Sequence, residues 1–151
     1  LDKIIYHFLR LDCIAHRAFE MFTENKHLES WLTLKAEVEP KVGGKYELFW
    51  NPDNREIDST IGCKITALEP DKLLSFEWKG PAQYKDFMND ADPLTHVVVL
   101  FLPCGEGKAP ETEVHLVHSG WRSSAEWEEA RLWFERMWNV CFKELSKKVN
   151  G

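Results

Sequence analysis

Residues 123–147 read SSAEWEEARLWFERMWNVCFKELSK. Trp127, Ala130, Phe134, Met137, Trp138, Cys141 and Leu145 recur there at steps of three and four, the spacing that aligns side chains along one side of an α-helix. Ser123 or Ser124 suits the N-cap, and Glu126, Glu128 and Glu129 sit where the helix dipole favours negative charge. Lys143, Lys147 and Lys148 suit the opposite end. The pattern predicts one amphipathic helix of about 25 residues. Its aromatic stripe needs a second layer to bury it, and the rest of the sequence has to supply that layer.

Seven segments upstream read as strands. They are KIIYHFLRL (3–11), AEVE (36–39, ended by Pro40), KYELFW (45–50), TIGCKITAL (60–68), LLSFEW (73–78), THVVVLFL (95–102) and TEVHLVHSGW (112–121). Most are rich in β-branched and aromatic residues, and several alternate with period two. In 60–68, Ile61, Cys63, Ile65 and Ala67 fall on one face; in 112–121, Val114, Leu116 and His118 do. Short polar turns separate most of the strands: Gly43-Gly44, NPDNRE (51–56), EPDK (69–72) and PCGEGKAPE (103–111). Strands joined in this way form an antiparallel meander. After the first strand, AHRAFEMF (15–22) and HLESWL (27–32) read as two short helices. Residues 80–93 are rich in Gly, Pro and Asp and read as a mobile loop, placed to act as a lid. The expected fold is therefore α+β: a curved seven-stranded antiparallel sheet around one long C-terminal helix, in a single domain spanning 1–151.

The bulk figures fit that picture. With 44% hydrophobic and 29% charged residues, the chain has the composition of a water-soluble globule. The net charge of −6 argues against nucleic acid, which needs a basic footprint. No apolar run approaches the roughly 20 residues that span a bilayer, and no signal-peptide pattern opens the sequence. Cys13, Cys63, Cys104 and Cys141 are widely spaced with no CxxC pair. They read as reduced thiols and imply a cytoplasmic location.

Trp50, Trp78, Trp127, Phe134 and Trp138 are expected to converge on the interior, either as a filled core or as the lining of an apolar pocket. On the second reading the helix stripe of Trp127, Phe134, Met137 and Trp138 faces Tyr46, Leu48, Trp50, Phe76, Trp78, Val97, Val99 and Leu116 across an incompletely filled space. His118 points inward with Val114 and Leu116. It is either a core histidine tied to a protein partner or the polar group that orients a ligand or moves a proton. His115 and His118 face opposite sides and cannot share a metal, and no other set has ligand spacing. No metal, no cofactor and no nucleophile are expected: GxSxG is absent, and Gly43-Gly44 leads into a strand without the Lys-Ser/Thr of a phosphate loop. Val98, Leu100 and Leu102 give one strand an apolar outer face, which suggests cover by a second copy in a homodimer.

At this point the sequence resembles a known family. The Phe19–Phe22 helix, Trp31-Leu32, VEPKVGGKYELFW (38–50), Gly62, EPDKLLSFEW (69–78), Thr95, TEVHLVHSGW (112–121) and the Trp138–Leu145 helix end together carry the likeness. It is to the SRPBCC, or START-like, helix-grip superfamily, and within it to homologues of the C-terminal domain of the activator of heat-shock-protein-90 ATPase. The resemblance implies the helix-grip fold over nearly the whole chain. Members include lipid carriers, hormone-binding proteins, cyclases and co-chaperone domains, and a shared fold does not carry a shared activity. The expected function is non-catalytic binding of a small hydrophobic molecule. The alternatives are a cyclase- or hydrolase-type enzyme using His118, and a co-chaperone-like interaction module. A chaperone partner is not expected, because the co-chaperone's separate N-terminal domain has no counterpart in the sequence.

Overall fold

The structure is a computed structural model and describes residues 3–107 and 109–151. The elements run β1 (Ile5–Leu11), α1 (Ala15–Thr23), α2 (Asn25–Trp31), β2 (Lys35–Val38), β3 (Tyr46–Phe49), β4 (Ile65–Glu69) and β5 (Leu73–Trp78). A 3-10 turn (Ala82–Tyr84) and α3 (Lys85–Met88) follow, then β6 (Thr95–Cys104), β7 (Glu111–Ser119) and α4 (Ala125–Asn150). The expected turn at 103–111 includes Lys108, which lies outside the described residues.

Five strands form one antiparallel sheet in the order β1-β7-β6-β5-β4, and β2 pairs with β3. Isolated antiparallel bridges, Lys45 with Lys64 and Phe49 with Ser59, join the two parts. Backbone bonds from Tyr46 N to Cys63 O (2.9 Å) and from Ile65 N to Gly44 O (2.8 Å) close the seam. The antiparallel order thus continues through all seven strands, with α4 packed along β1 and α2.

Three local expectations need correction. First, the strand foreseen over 60–68 begins only at Ile65. Gly62 lies in a turn at φ +84°, a region that costs glycine little. Thr60 replaces the regular ladder there, its hydroxyl donating to Tyr46 O and accepting from Leu48 N, both at 2.9 Å. Second, the segment 80–93 is partly helical, so the described chain has four α-helices and a 3-10 turn rather than three helices. Asn89 clamps it, accepting from Gly80 N at 2.7 Å and donating to Gly80 O at 3.3 Å. Tyr84 and Met88 are buried beneath it. A side chain at residue 80 would meet Met88 Sδ at 2.6 Å, so this approach requires glycine. Third, α4 spans 125–150 rather than 123–147, with Ser124 as its N-cap accepting from Trp127 N.

The core lies between the inner sheet face and α4. Alternation along β7 buries Val114, Leu116 and His118, and along β6 it buries Val97, Val99 and Phe101. The buried stripe of α4 is Trp127, Ala130, Phe134, Trp138, Phe142 and Leu145. Phe142 takes the inward place that the sequence pattern assigns to Cys141. Both satisfy a three-or-four step from Trp138, and the longer step keeps closer to the 3.6-residue turn over the whole helix. Cys141 and Met137 flank the stripe and are only half-buried. All four cysteines are free. No helix among the described residues is long and apolar enough to cross a membrane.

Candidate functional site

Strand register places the central polar group. Val97 pairs with both His118 and Phe76, and Thr95 pairs with Trp78. His118 therefore stands inside the core, fully buried, next to Thr95, the residue that opens β6. Trp138 Nε1 donates to His118 Nδ1 at 3.1 Å. An indole nitrogen can only donate, so Nδ1 is the accepting nitrogen and the proton sits on Nε2. Nε2 then donates to Thr95 Oγ1 at 3.0 Å, and Thr95 Oγ1 donates to Trp78 O at 3.4 Å. Burial, with a smaller contribution from the neighbouring His96, pushes the His118 pKa down to about 3. The ring is neutral near pH 7, and both nitrogens are committed to protein partners. This is the core-histidine arrangement, and it leaves no free nitrogen to act as an acid, a base or a ligand contact.

Aromatic rings fill most of the space around this chain of bonds. Tyr46 and Phe76 stack at 3.8 Å between centroids, and Trp78 lies 5.2 Å from Trp138. The Tyr46 hydroxyl donates to Phe22 O at 2.7 Å, and burial raises its pKa. Of the thirteen residues read from the sequence as pocket lining, Tyr46, Leu48, Phe76, Val97, Val99, Leu116, His118, Trp127 and Trp138 are buried in this packed core. The remaining four, Trp50, Trp78, Phe134 and Met137, line a cleft of about 240 Å³.

The cleft lies where β3 and β5 meet the middle of α4. Trp133 and Cys141 complete its apolar wall, and Asp58, Ser59, Lys79, Gly80 and Pro81 form the rest. Trp50 meets Trp78 edge-on at 6.0 Å, and its Nε1 donates to Leu32 O at 2.9 Å, which fixes the ring. Trp133 meets Phe134 edge-on at 4.9 Å. Burial raises the Cys141 thiol to about 11, so it stays protonated and apolar near pH 7. Asp58, at φ +50°, accepts from Ala82 N at 2.8 Å and so ties the 80–84 segment to the loop ahead of β4. Lys79 Nζ donates to Ile61 O at 2.6 Å.

Sequence reasoning missed seven of the wall residues. Trp133 and Cys141 lie at the margin of the helix stripe, where a 3.6-residue period separates core from surface poorly. The Trp78-Lys79-Gly80-Pro81 run was legible as a strand end entering a loop. Asp58 and Ser59 carried no signal, because their part in the wall depends on contacts with residues some 20 positions away.

The family described as Activator of Hsp90 ATPase homolog 1-like protein matches residues 12–150. No curated protein matches the sequence. Among solved structures, a Mesorhizobium loti protein superposes with a TM-score of 0.75 at 21% identity, covering 96% of this chain and 95% of that one. The Aha1 dimer from Colwellia psychrerythraea gives 0.71 at 16% identity, covering 97% and 96%. An HSP90 activator from Plasmodium falciparum gives 0.60 at 21% identity, covering 90% and 85%. At these identities the likeness speaks for the fold.

Proposed function

The chain belongs to the Activator of Hsp90 ATPase homolog 1-like family, within the helix-grip SRPBCC superfamily, and from that premise we propose that it binds a small hydrophobic molecule in the cleft between β3, β5 and α4. The observation that carries this reading is the wall itself. Trp50, Trp78, Trp133, Phe134, Met137 and Cys141 border an unfilled space next to an otherwise packed aromatic core. Concave, mostly apolar sites with a few polar groups are where proteins take small ligands. Catalysis is not part of the proposal, because His118 is occupied on both nitrogens and is absent from the wall.

The test is a filled cleft. Prodan, a neutral two-ring naphthalene dye, is expected to bind the native chain at about one site, with a blue shift of its emission. Cys141→Trp puts an indole into the space from α4 and is expected to weaken binding at least tenfold, with thermal unfolding still cooperative. No binding to the native chain, or equal binding to the variant, overturns the assignment.

A second reading concerns assembly, and a specific surface favours it. Tyr6, Phe8, Leu100 and Leu102 are exposed on the outer face of β1 and β6. His115 of β7 stands between them, pairing with Phe8 on one side and Leu100 on the other. Large apolar groups clustered on adjoining strands favour cover, and the Colwellia relative is a dimer. We propose that a second copy covers this face. Sedimentation equilibrium is expected to give a dimer that Phe8→Glu dissociates. A monomer at high protein concentration, or a dimer unaffected by Phe8→Glu, sinks the assignment.

A further inference from the structure

Resting on the reading of the cleft as a small-molecule site, we propose that residues 80–91 form a strap across its mouth that swings open as one unit to let the ligand in and out, with the hydrogen bond between Ala82 and Asp58 as its latch. The strap leaves β5 beside Lys79, whose side chain is fixed to Ile61 O. Beyond its other end, the Pro93 carbonyl accepts from Arg122 Nη2 at 2.6 Å. Between these anchors it crosses the cleft. Gly80 and Pro81 belong to the wall. Ala82 N donates to Asp58 Oδ1 at 2.8 Å, and Tyr84 meets Trp133 edge-on at 5.9 Å. Asp58 and Trp133 are themselves wall residues, one ahead of β4 and the other on α4. Opening the strap therefore parts the wall between the sheet and the helix.

The strap is built to move whole. Asn89 closes its base on both backbone groups of Gly80, at 2.7 and 3.3 Å, and Met88 is fully buried against that glycine. Tyr84 meets Phe87 edge-on at 6.0 Å, and the 3-10 turn and α3 pack chiefly on each other. The grip on the rest of the fold is lighter. Phe87 meets Trp127 edge-on at 5.1 Å, and the latch itself is exposed. A recess of about 290 Å³ separates α3 from the loop ahead of β4, with Glu56, Ser59 and Ile61 on one side and Lys85, Asp86 and Asp90 on the other. Its mostly polar walls give no dry packing to hold the strap down. Segments with strong internal and weak external contacts open ahead of global unfolding, and such motions gate ligand exchange in covered sites.

Ala82→Pro cuts the latch alone. Ala82 is exposed and opens the 3-10 turn, a position that suits proline, and Pro81 ahead of it is already extended at ψ 174°. In stopped-flow mixing of the full chain with prodan, association and dissociation are both expected to be about fivefold faster in the variant, the factor that loss of one hydrogen bond gives, with the dissociation constant within about twofold of wild type. In native-state hydrogen exchange of the wild type, the Tyr84, Lys85 and Asn89 amides are expected to exchange together and ahead of those of β5 and α4, and faster still in the variant. Unchanged rates, or a changed dissociation constant with only one rate altered, overturn the strap while leaving the small-molecule site standing. Exchange of the strap amides only in step with β5 and α4 overturns it as well, and decides the matter if Ala82→Pro does not fold. If prodan binds neither protein, the small-molecule reading falls and the gate falls with it.

Discussion

Trp138→Ala lowers the stability of the fold by about 3–5 kcal/mol in urea melts, the range for truncating a large buried aromatic. Trp138 is fully buried and comes from the middle of α4. Its ring touches Trp78 at 5.2 Å, His118 at 6.2 Å and Phe142 at 6.4 Å. Its removal opens a cavity among rings that are too rigid to collapse into it. It also strips His118 Nδ1 of its donor, leaving a buried acceptor unpaired. Trp138→Phe separates the two effects: it keeps most of the volume, loses the hydrogen bond and is expected to cost about 1–3 kcal/mol. A loss below about 1 kcal/mol for Trp138→Ala would mean that the helix is not seated on Trp78 and His118 as described.

Stability also falls on mild acidification, by about 2 kcal/mol between pH 7 and pH 5, and His118→Gln removes most of that slope. The His118 pKa is about 3 when folded, against 6.5 as its ordinary value, with burial the main cause. Below 6.5 the unfolded chain takes up a proton that the folded chain does not. The contribution is therefore fully present above about pH 6.5 and is lost as pH falls toward 3. His96, whose pKa burial also lowers, adds in the same direction. His16 acts with the opposite sign, since its hydrogen bond to Asp71 raises its pKa, but it is exposed and screened. Glu37, held down by Arg55, and Glu128, held near 2 by Arg131, lose their contributions only at lower pH. Urea melts across pH 5–7 isolate the histidine term. A wild-type profile as flat as that of His118→Gln would mean that His118 is not neutral and buried in the folded chain.

The periodicities carried much of the architecture. Alternation along 112–121 fixed His118 on the inner face, because successive strand side chains point to opposite sides whatever the sheet packs against. The three-and-four stepping from Trp127 to Leu145 fixed α4 and the side it buries. Turn chemistry around Gly43-Gly44 and EPDK placed two of the meander's reversals. The outcome was less secure where local signals competed. At 60–64 the apolar alternation favoured a strand, but Gly62 and the Thr60 hydroxyl settled it as a turn. At 80–93 the Gly, Pro and Asp content masked Tyr84 and Met88, whose burial holds a helical segment in place.

The sequence by itself determined the order of the elements and which face of each turns inward, because those follow from backbone geometry and residue type over short windows. Only the tertiary structure decided which inward aromatics fill the core and which border empty space. Trp138 and Trp78 look alike in sequence, and both are buried. One spends its N–H on His118, and the other is left without an acceptor beside a cleft. Whether a void remains depends on the summed volumes and rotamers of rings brought together from positions 50, 78, 133 and 134, and whether a donor is satisfied depends on which acceptor the fold sets within about 3 Å of it. Neither quantity exists until distant parts of the chain are in contact.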